Sequence, residues 1–380
     1  MPNDTPAATL NAKEERRILR GHCWAYRNEF AAIPDGLADG QVVDVLAHNG
    51  RFVGRGFYQT DGGIAVRVFS RHADDPDTAF FTRRLAAALA LRRRLFAGSD
   101  VFRWVYGDSD GLPGLVVDRY GAVAVARASS QFYFDRSQLI ADCLMADEGV
   151  AAVHFELGGV VRRFGDLPEA LELEIDGVRA ELRLGASQKT GLFLDQRRNW
   201  PVVRELARDA RVFDGHCYHG FWSCHAALGG AAAVTAVDSS APAVEQAQRN
   251  LELNGVADKC AVLCGDVEKT LAGGDAYDVV ILDPPAFAKT RAQAAKALGR
   301  YQALNAAAAA RIAPEGGFLV TSSCSHFVDE SMFLEAVKRA IVGAGRTARL
   351  LELRGASPDH PVLLAMPETA YLKCLVLRVD

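Results

Sequence analysis

The chain has 380 residues, a formal net charge of −4 at pH 7 and a sequence pI near 6.2. Its 49% hydrophobic and 24% charged residues are typical of a soluble globular protein with two or three domains. The near-neutral charge gives no signal of wholesale electrostatic capture of nucleic acid, although a local basic face stays open.

Targeting and redox signals favour a cytoplasmic protein. The opening residues, "MPNDTPAATLNAKEE", are polar and contain no apolar run of a secretory signal. No segment approaches the roughly 20 apolar residues that span a bilayer, so we expect no membrane partner. The eight cysteines stand mostly in apolar or strand-like settings such as "ADKCAVLCGD". We therefore expect reduced thiols rather than a disulfide framework.

The first part of the chain is rich in short strand patterns. Runs such as "QVVDVLAHNG" and "RFVGRGFYQT" are separated by glycines, and Asn49-Gly50 predicts a tight hairpin between them. We interpret this part as a small β-barrel-like module. The alanine-, leucine- and arginine-rich stretch "TAFFTRRLAAALALRRRLF" then predicts a helix, and further strands with a helix near "SQLIADCLMAD" predict an α+β block.

The pattern changes near residue 186 to strands alternating with helices. Such alternation predicts a doubly wound α/β domain with a parallel sheet covered by helices on both faces. We therefore predict three domains, over residues 1–74, 75–185 and 186–380.

Three successive strands of this last block end in an acid. They are "RVFD" at Asp214, "AVTAVD" at Asp238 and "AVLCGD" at Asp266. In doubly wound sheets the ligand crevice lies at the carboxyl ends of the strands, near the point where the strand order reverses. A strand-end aspartate can also simply cap the next helix. Three in succession favour a site for the ribose and adenine of a cofactor.

The loop after the first of these strands is rich in potential metal ligands. The stretch "GHCYHGFWSCHAALGG", from Gly215 to Gly230, holds three histidines and two cysteines. Zinc needs about four ligands that converge. Cys224 and His225 are adjacent and predicted helical, so their side chains point about 100° apart. We therefore expect no metal here and assign the stretch to a cofactor loop.

The fourth strand delivers "VVILDPPAFAK". The two prolines fix the backbone after a buried strand and place Asp283 and Phe287 at the rim of the sheet. A flat base could stack on Phe287 while Asp283 binds its edge. The alternative is a rigid turn between strand and helix.

The fifth strand, "GGFLVTSSCSHF", ends at Cys324 between two serines. A cysteine beside the ligand crevice is a candidate nucleophile because its thiolate is intrinsically reactive. The alternative is a buried structural cysteine.

The ordered set of motifs resembles a known family. "DPPAFAK" followed by "SSCSH", with "ASQKTGLFLDQRRNW" before the first strand, is similar to class I S-adenosylmethionine-dependent ribosomal RNA methyltransferases, and more narrowly to the 23S rRNA cytosine-5 methyltransferases. "LRGHCWAYRNEF" resembles the PUA RNA-binding domain of that family, and "YGDSDGLPGLVVDRYG" its middle domain. The resemblance covers nearly the whole chain. It implies a C-terminal Rossmann-like class I methyltransferase domain, an N-terminal β-barrel PUA domain and an α+β middle domain.

The resemblance also implies a mechanism. The Cys324 thiolate would attack carbon 6 of a cytosine in large-subunit ribosomal RNA, and carbon 5 would then accept the methyl group of S-adenosylmethionine. Asp283 would hydrogen-bond or protonate the ring-nitrogen edge. A base would remove the proton on carbon 5, and Cys324 would be eliminated. The base is unassigned, and the oligomeric state is open, with a homodimer as one option.

Some of the predicted site residues follow from the resemblance, and others follow from the motifs and the basic helix segment themselves. Those expected at the cofactor are Lys189, Phe193, Asp195, Gln196, Asp214, Tyr218, Gly220, Asp238, Ser239, Asp266, Asp283 and Pro284. Those expected at the RNA are Pro285, Phe287, Lys289, Arg92 and Arg93. For the two arginines, the alternative is a solvated helix face, since phosphate contact and solvent exposure leave the same sequence pattern.

One motif departs from the family. The loop reads Tyr218-His219-Gly220-Phe221-Trp222 where the family has a second glycine, which lets backbone approach the methionine part of the cofactor. Two alternative functions therefore stay open. One is methylation of an exocyclic amine through the "DPPAF" motif, and the other is an inactive RNA-binding relative. A nicotinamide enzyme is disfavoured because no G-x-G-x-x-G follows the first strand.

Overall fold

A computed structural model describes residues 5–183, 190–273 and 275–380 of the chain. The described residues form two compact units. The N-terminal unit comprises residues within 1–171 and 183–191, with Pro358–Thr369. The C-terminal unit comprises Glu172–Leu182, the described residues of Leu192–Ser357, and Ala370–Asp380. No helix in the described ranges combines the length and the apolarity that crossing a bilayer requires.

The elements up to residue 183 are mostly short strands. The strands are β1 Ala7–Leu10, β2 Trp24–Tyr26, β3 Phe30–Ala32, β4 Val42–Leu46, β5 Phe52–Tyr58, β6 Ile64–Ser70, β7 Val101–Tyr106, β8 Leu115–Tyr120, β9 Val123–Ala128, β10 Ala152–Leu157, β11 Val160–Phe164, β12 Ala170–Ile175 and β13 Val178–Arg183. The helices are α1 Glu15–Leu19, α2 Thr78–Leu95, α3 Gln131–Asp135 and α4 Ser137–Met145.

Beyond residue 190 strands and helices alternate. The strands are β14 Arg211–Gly215, β15 Ala233–Asp238, β16 Cys260–Cys264, β17 Val279–Leu282, β18 Gly317–Ser323, β19 Ala348–Arg354 and β20 Lys373–Val379. The helices are α5 Val202–Leu206, α6 Phe221–Leu228, α7 Ala241–Leu253, α8 Val267–Gly273, α9 Ala294–Ala309 and α10 Glu330–Gly343.

The N-terminal unit is built on two sheets that share a core. A six-stranded sheet has the order β2-β6-β5-β4-β1-β3, and a five-stranded sheet has the order β11-β10-β9-β8-β7. Rings from both parts meet in the core, where Phe57 of β5 stacks on Phe132 of α3 with centroids 4.5 Å apart. The predicted boundary near residue 74 therefore falls inside one compact unit.

Two local predictions for this unit are confirmed. β4 and β5 pair antiparallel across Asn49-Gly50, and Gly50 takes the left-handed φ of 80° that the turn requires. The predicted helix is α2, and its N-cap Asp77 accepts a hydrogen bond from the Phe80 N–H at 2.8 Å.

The C-terminal unit is built on a seven-stranded sheet with the order β16-β15-β14-β17-β18-β20-β19. The first five of these strands pair parallel, as predicted, but β20 pairs antiparallel with both β18 and β19. The antiparallel direction of β20 has a simple cause. Parallel strands need a long crossover connection, usually a helix, and no α-helix lies between β19 and β20 in the described chain.

The strand order reverses at β14, which lies between β15 and β17. In parallel sheets this reversal opens a crevice at the carboxyl ends of the strands. The loops that follow β14, β15, β16, β17 and β18 therefore gather at one edge of the sheet. They carry the candidate site.

Candidate active site

The loop between β14 and α6 has an unusual backbone. His216, Tyr218 and Gly220 all have positive φ, at 63°, 50° and 75°. Positive φ costs a non-glycine residue about 1–3 kcal/mol unless its surroundings hold it. The end of β15 does so, because the His216 N–H donates to the Val237 carbonyl at 2.8 Å and the Tyr218 N–H donates to Asp238 Oδ2 at 3.0 Å. The loop is therefore fixed in shape by its neighbouring strand.

Two histidines of this loop region, His219 and His225, are buried. The His219 ring stacks on Tyr218 with centroids 3.7 Å apart, and His225 Nδ1 accepts a hydrogen bond from Arg204 Nε at 2.8 Å. Burial lowers the pKa of His219 to about 4 and that of His225 to about 3. The described residues contain no group of three or more His, Cys, Asp or Glu side chains that could hold a metal ion.

Phe221 and Trp222, which follow Gly220 where the family has a second glycine, each contact another residue of the domain. Phe221 is the first residue of α6 and stacks on Trp200 with ring centroids 4.4 Å apart. Trp222 is also buried, and its Nε1 donates to Asp283 Oδ2 at 3.0 Å. The left-handed conformation ends at Gly220, so the backbone does not require a second glycine. The ring of Phe221 lies in the domain interior.

Asp238 and Asp266 lie at the ends of adjacent strands. Both Asp238 oxygens accept backbone N–H bonds, including one from Ser240 at 2.9 Å. Asp266 is exposed and accepts from the Lys269 N–H at 2.9 Å, so it also caps α8. Ser239 is exposed between them in sequence. These contacts orient both carboxylates and leave lone pairs for hydroxyl donors.

Asp214 is placed differently from the other two acids, because it is fully buried beneath the loop. Ser223 of α6 donates its hydroxyl to Asp214 Oδ2 at 2.6 Å, and Oδ1 has no partner among the described residues. Burial raises the pKa of Asp214 to about 7, and the negative charges of Asp283 and Asp238 add to the shift. Asp214 therefore links β14 to α6 and titrates near neutral pH.

Asp283 is held at both carboxylate oxygens. Gln196 donates its Nε2 to Asp283 Oδ1 at 2.9 Å, and Trp222 occupies Oδ2. Gln196 is buried and bonded further, since its Nε2 donates to Ser322 Oγ at 3.0 Å and its Oε1 accepts from Asn199 Nδ2 at 2.6 Å. Both bonds make Asp283 an acceptor. Gln196, expected at the cofactor, contacts Asp283.

Cys324 directly follows β18 and is half-buried. Its Sγ lies 3.9 Å from the Pro284 carbonyl oxygen, to which it donates a weak hydrogen bond. Ser325 is buried beside it, with its Oγ 2.9 Å from the Tyr301 hydroxyl. The neighbouring strands β17 and β18 thus bring together the two motifs that carry the predicted chemistry, around Asp283 and around Cys324.

The residues after Asp283 divide into a packed and an exposed group. Phe287 packs against Tyr301 at 4.7 Å between ring centroids, and the Arg300 guanidinium lies 3.9 Å from the centre of the Phe287 ring. Pro285 and Lys289 are exposed at the rim. Phe287 is therefore anchored by its neighbours, while Pro285 and Lys289 are accessible to a ligand.

The segment before the first strand lies partly beside the loop. Phe193 packs edge-on against Tyr218 with centroids 4.7 Å apart. Asp195 is buried and accepts a hydrogen bond from the Tyr371 hydroxyl. Lys189, the other residue expected to enclose the cofactor here, lies outside the described residues.

The prediction that Arg92 contacts RNA is wrong. Arg92 is fully buried in the N-terminal unit, where its guanidinium forms a two-point ion pair with Asp110 at 2.6 and 2.8 Å and donates to the Arg103 carbonyl. A helix position that points into the core cannot reach a phosphate. Arg93 is exposed and pairs with Asp147 at 2.9 Å, so its RNA contact stays a prediction.

Sequence reasoning missed two residues of the site. Trp222 was noted only as part of a departure from the family, and that departure was the available signal. Lys373 stands in "YLKCLVL", where a lysine inside an apolar strand is itself unusual. It is 8% exposed, and its Nζ donates to the carbonyls of Ser325 at 2.8 Å and Tyr371 at 2.7 Å.

Comparisons with known families agree with this arrangement. A profile of the PUA-like domain matches residues 8–71, and a profile of the S-adenosylmethionine-dependent methyltransferase matches residues 163–357. A solved Streptococcus mutans protein, assigned as an S-adenosylmethionine-dependent methyltransferase, superposes with a TM-score of 0.86 at 18% identity over 98% of this chain and 100% of that one. A second methyltransferase structure, a complex with S-adenosylhomocysteine, gives 0.86 at 19% identity over the same shares. The predicted fold class is confirmed.

The sheet order, the loop after β14 and the acids at the strand ends define a class I methyltransferase. Curated relatives extend over nearly the whole chain. The ribosomal RNA large subunit methyltransferase I of Alteromonas mediterranea is 33% identical over 97% of this chain and 98% of its own length. The protein of that name from Klebsiella pneumoniae is 32% identical over 98% of each. The chain belongs to the S-adenosylmethionine-dependent methyltransferase family, in the group of these relatives, and S-adenosylmethionine is its methyl donor.

Proposed function

We propose that this enzyme methylates carbon 5 of a cytosine in large-subunit (23S) ribosomal RNA through a covalent Cys324 adduct. The observation that carries the proposal is the 3.9 Å contact between Cys324 Sγ and the Pro284 carbonyl. It places a half-buried thiol beside Asp283, in the turn after the neighbouring strand. The names of the full-length relatives support the RNA substrate.

The loops around β14 suit the cofactor. Asp238 and Asp266 are oriented acceptors at adjacent strand ends, which suit the ribose hydroxyls and the adenine amine respectively. Tyr218 and Phe193 form an aromatic wall beside the loop. We infer that these four residues hold S-adenosylmethionine, with Ser239 and Gly220 at the edge of its site. When bound, the cofactor supplies a methyl group on a positively charged sulfur.

Cys324 provides the nucleophile in this proposal. The thiol loses its proton, and a sulfur electron pair forms a bond to carbon 6 of the cytosine, which pushes electron density onto carbon 5. After carbon 5 is methylated, loss of its proton to a base re-forms the ring double bond and expels the Cys324 thiolate. The thiolate is thereby regenerated without change.

Asp283 orients the base and stabilises charge. Its oxygens accept hydrogen bonds from Gln196 and Trp222, so the carboxylate presents remaining lone pairs in a fixed direction. A cytosine offers an exocyclic amino donor at the edge that such an acceptor binds. In this reaction we assign Asp283 the role of a hydrogen-bond acceptor at that edge.

Several exposed residues are candidates for the RNA contact. Pro285 and Lys289 line the rim of the site, and Arg93 is exposed on α2. A PUA-like domain at residues 8–71 adds a module suited to RNA. We propose a cytoplasmic location from the sequence signals. A homodimer remains a proposal from the resemblance.

Mass-spectrometric mapping of ribosomal RNA tests this function. Large-subunit RNA from cells that lack the gene should lose one 5-methylcytosine, and the purified enzyme should restore it. Cys324→Ala should abolish restoration, whereas Cys143→Ala, at a half-buried cysteine on α4 of the N-terminal unit, should not. If the methylation map of large-subunit RNA is the same with and without the gene, the substrate assignment is wrong. Full activity of Cys324→Ala, with methyl on an exocyclic nitrogen, would instead identify amine chemistry.

A further inference from the structure

Lys373 is a buried cation attached to the turn that carries Cys324. It pairs in register with Ser323, the last residue of β18, so β20 lies directly alongside the nucleophile's strand. Its Nζ donates to the Ser325 carbonyl at 2.8 Å, one residue beyond Cys324. A second bond to the Tyr371 carbonyl at 2.7 Å fixes the amine from the other side.

The charge of Lys373 is incompletely balanced by these contacts. Its two hydrogen-bond acceptors are neutral carbonyls, and burial of an ammonium is costly without a negative partner. Burial lowers the pKa of Lys373 to about 8, and the negative groups that oppose this shift are Cys324 and Asp329. Asp329 is exposed and caps α10, accepting from the Met332 N–H at 2.8 Å. Of these two groups, Cys324 is the half-buried one.

We propose that Lys373 is the positioning residue that orients Cys324 and stabilises its thiolate. This inference rests on the proposed role of Cys324 as nucleophile. Ionisation releases the thiol proton to solvent, which reaches the half-buried sulfur, while the ammonium keeps its three protons. The ion pair then holds the sulfur electron pair at the mouth of the site, ready to bond to carbon 6.

Three further titratable groups lie close to Cys324 in the described part of the chain. On α9, burial raises the pKa of Tyr301, whose hydroxyl therefore stays neutral in the working range. After β17, the Asp283 carboxyl group accepts hydrogen bonds from Gln196 and Trp222 and offers no positive charge. His326 is exposed and stacks on Tyr371, where solvent screens any charge that it carries.

The test measures thiol ionisation directly rather than methylation. The purified full-length enzyme is treated with iodoacetamide over a range of pH, and the alkylation of each cysteine is followed by peptide mass spectrometry. In the wild-type protein we expect the midpoint for Cys324 to lie about one pH unit or more below that for exposed Cys264. In Lys373→Met the midpoint should rise to that of Cys264 or above, and Cys324 alkylation near pH 7 should slow about tenfold. Lys373→Arg should keep a midpoint close to that of the wild type.

An unchanged Cys324 midpoint in folded Lys373→Met overturns the proposal. Equal Cys324 midpoints in Lys373→Arg and Lys373→Met overturn it as well. Thermal unfolding monitors whether the variants fold. If Lys373→Met does not fold, the wild-type comparison decides, because a Cys324 midpoint at or above that of Cys264 also overturns it. The covalent mechanism is tested separately by the activity of Cys324→Ala. If Cys324→Ala keeps full activity, the covalent mechanism is wrong, but the alkylation midpoints of Cys324 stay valid. The two proposals are therefore tested by different measurements.

Discussion

Trp222 donates its indole N–H to Oδ2 of Asp283 across 3.0 Å, from the first turn of α6 to the turn after β17. Gln196 holds the other oxygen, so the carboxylate is fixed from two sides by buried donors. The Asp283 carboxylate is therefore oriented before substrate binds, and it loses little conformational entropy on binding. Trp222, which directly follows the residue at which this chain departs from the family pattern, therefore orients the Asp283 carboxylate.

Trp222→Phe should lower kcat and leave the KM for S-adenosylmethionine nearly unchanged. Phenylalanine keeps most of the buried ring but removes a hydrogen bond to a charged group, which is worth about 1.5–3 kcal/mol, or about ten- to hundredfold in rate. Steady-state methylation of the RNA substrate measures both parameters. Trp200→Phe, at a tryptophan that stacks on Phe221, serves as the control and should cost much less activity. A double variant with Asp283→Asn should lose less than the sum of the two losses. Strict additivity contradicts the coupling.

Phe221→Gly, which restores the family's second glycine, should destabilise the protein without improving cofactor binding. The change deletes a buried ring stacked on Trp200 and should lower the free energy of unfolding by about 3–5 kcal/mol. Denaturant unfolding gives the stability, and calorimetry gives the affinity for S-adenosylmethionine. Phe221→Leu, which keeps apolar volume, should cost less. Tighter cofactor binding by a stable glycine variant would show instead that Phe221 obstructs the site.

Asp214 should make stability depend on pH in an unusual direction. Its folded-state pKa of about 7 lies above the value of about 3.9 for an unfolded chain. Between these values the folded protein holds a proton that the unfolded chain has lost, so the free energy of unfolding falls as pH rises through this window. Asp214→Asn should remove the fall, so its stability advantage over the wild type should grow from about pH 4 to about pH 7 and then level off. Guanidinium unfolding of the cofactor-free proteins measures it, with exposed Asp275→Asn as the control. Parallel pH profiles for the wild type and Asp214→Asn would falsify the assignment.

Arg92 and Arg93 should respond in opposite ways to substitution. Arg92→Ala removes the ion-pair partner of the Asp110 carboxylate, which among the described residues then keeps only the Tyr106 N–H bond, and should destabilise the N-terminal unit by about 3–5 kcal/mol. Arg93→Ala breaks an exposed pair with Asp147 and should change stability by less than about 1 kcal/mol. If Arg93 contacts a phosphate, RNA affinity and its salt dependence should both fall in Arg93→Ala. Filter binding over a range of salt measures this, and an unchanged salt slope removes Arg93 from the RNA surface.

The sequence predicted most of the C-terminal sheet because its physical signals are local. Buried strands, strand-end acids and the two-proline turn each lie within a few residues, and β14 to β18 appear where expected. The resemblance implies that Asp283 and Cys324 act on one base, and the two residues follow neighbouring parallel strands. The sequence did not predict the direction of β20 or the side-chain contacts within the site. Nothing local shows that β20 runs antiparallel between β18 and β19.

Side-chain partnerships were the least predictable feature of the site. Gln196 and Asp283 are 87 positions apart, and Lys373 and Ser325 are 48 apart, so only the folded chain brings them together. Arg92 shows the same limit within a helix. A run of three arginines gives no indication of which one turns inward, and the ion pair with Asp110 decides it.

The position of β20 has a consequence for the order in which the enzyme becomes competent. β19 precedes β20 in the chain, and its pairing partner in the described sheet is β20. β19, which carries exposed leucines, therefore has no strand to pair with until β20 joins the sheet. That insertion closes contacts that are distant along the chain, which makes it a slow event. The same event delivers Lys373 to Cys324. On the proposed role of Lys373, the Cys324 thiolate is therefore stabilised only once β20 has joined the sheet.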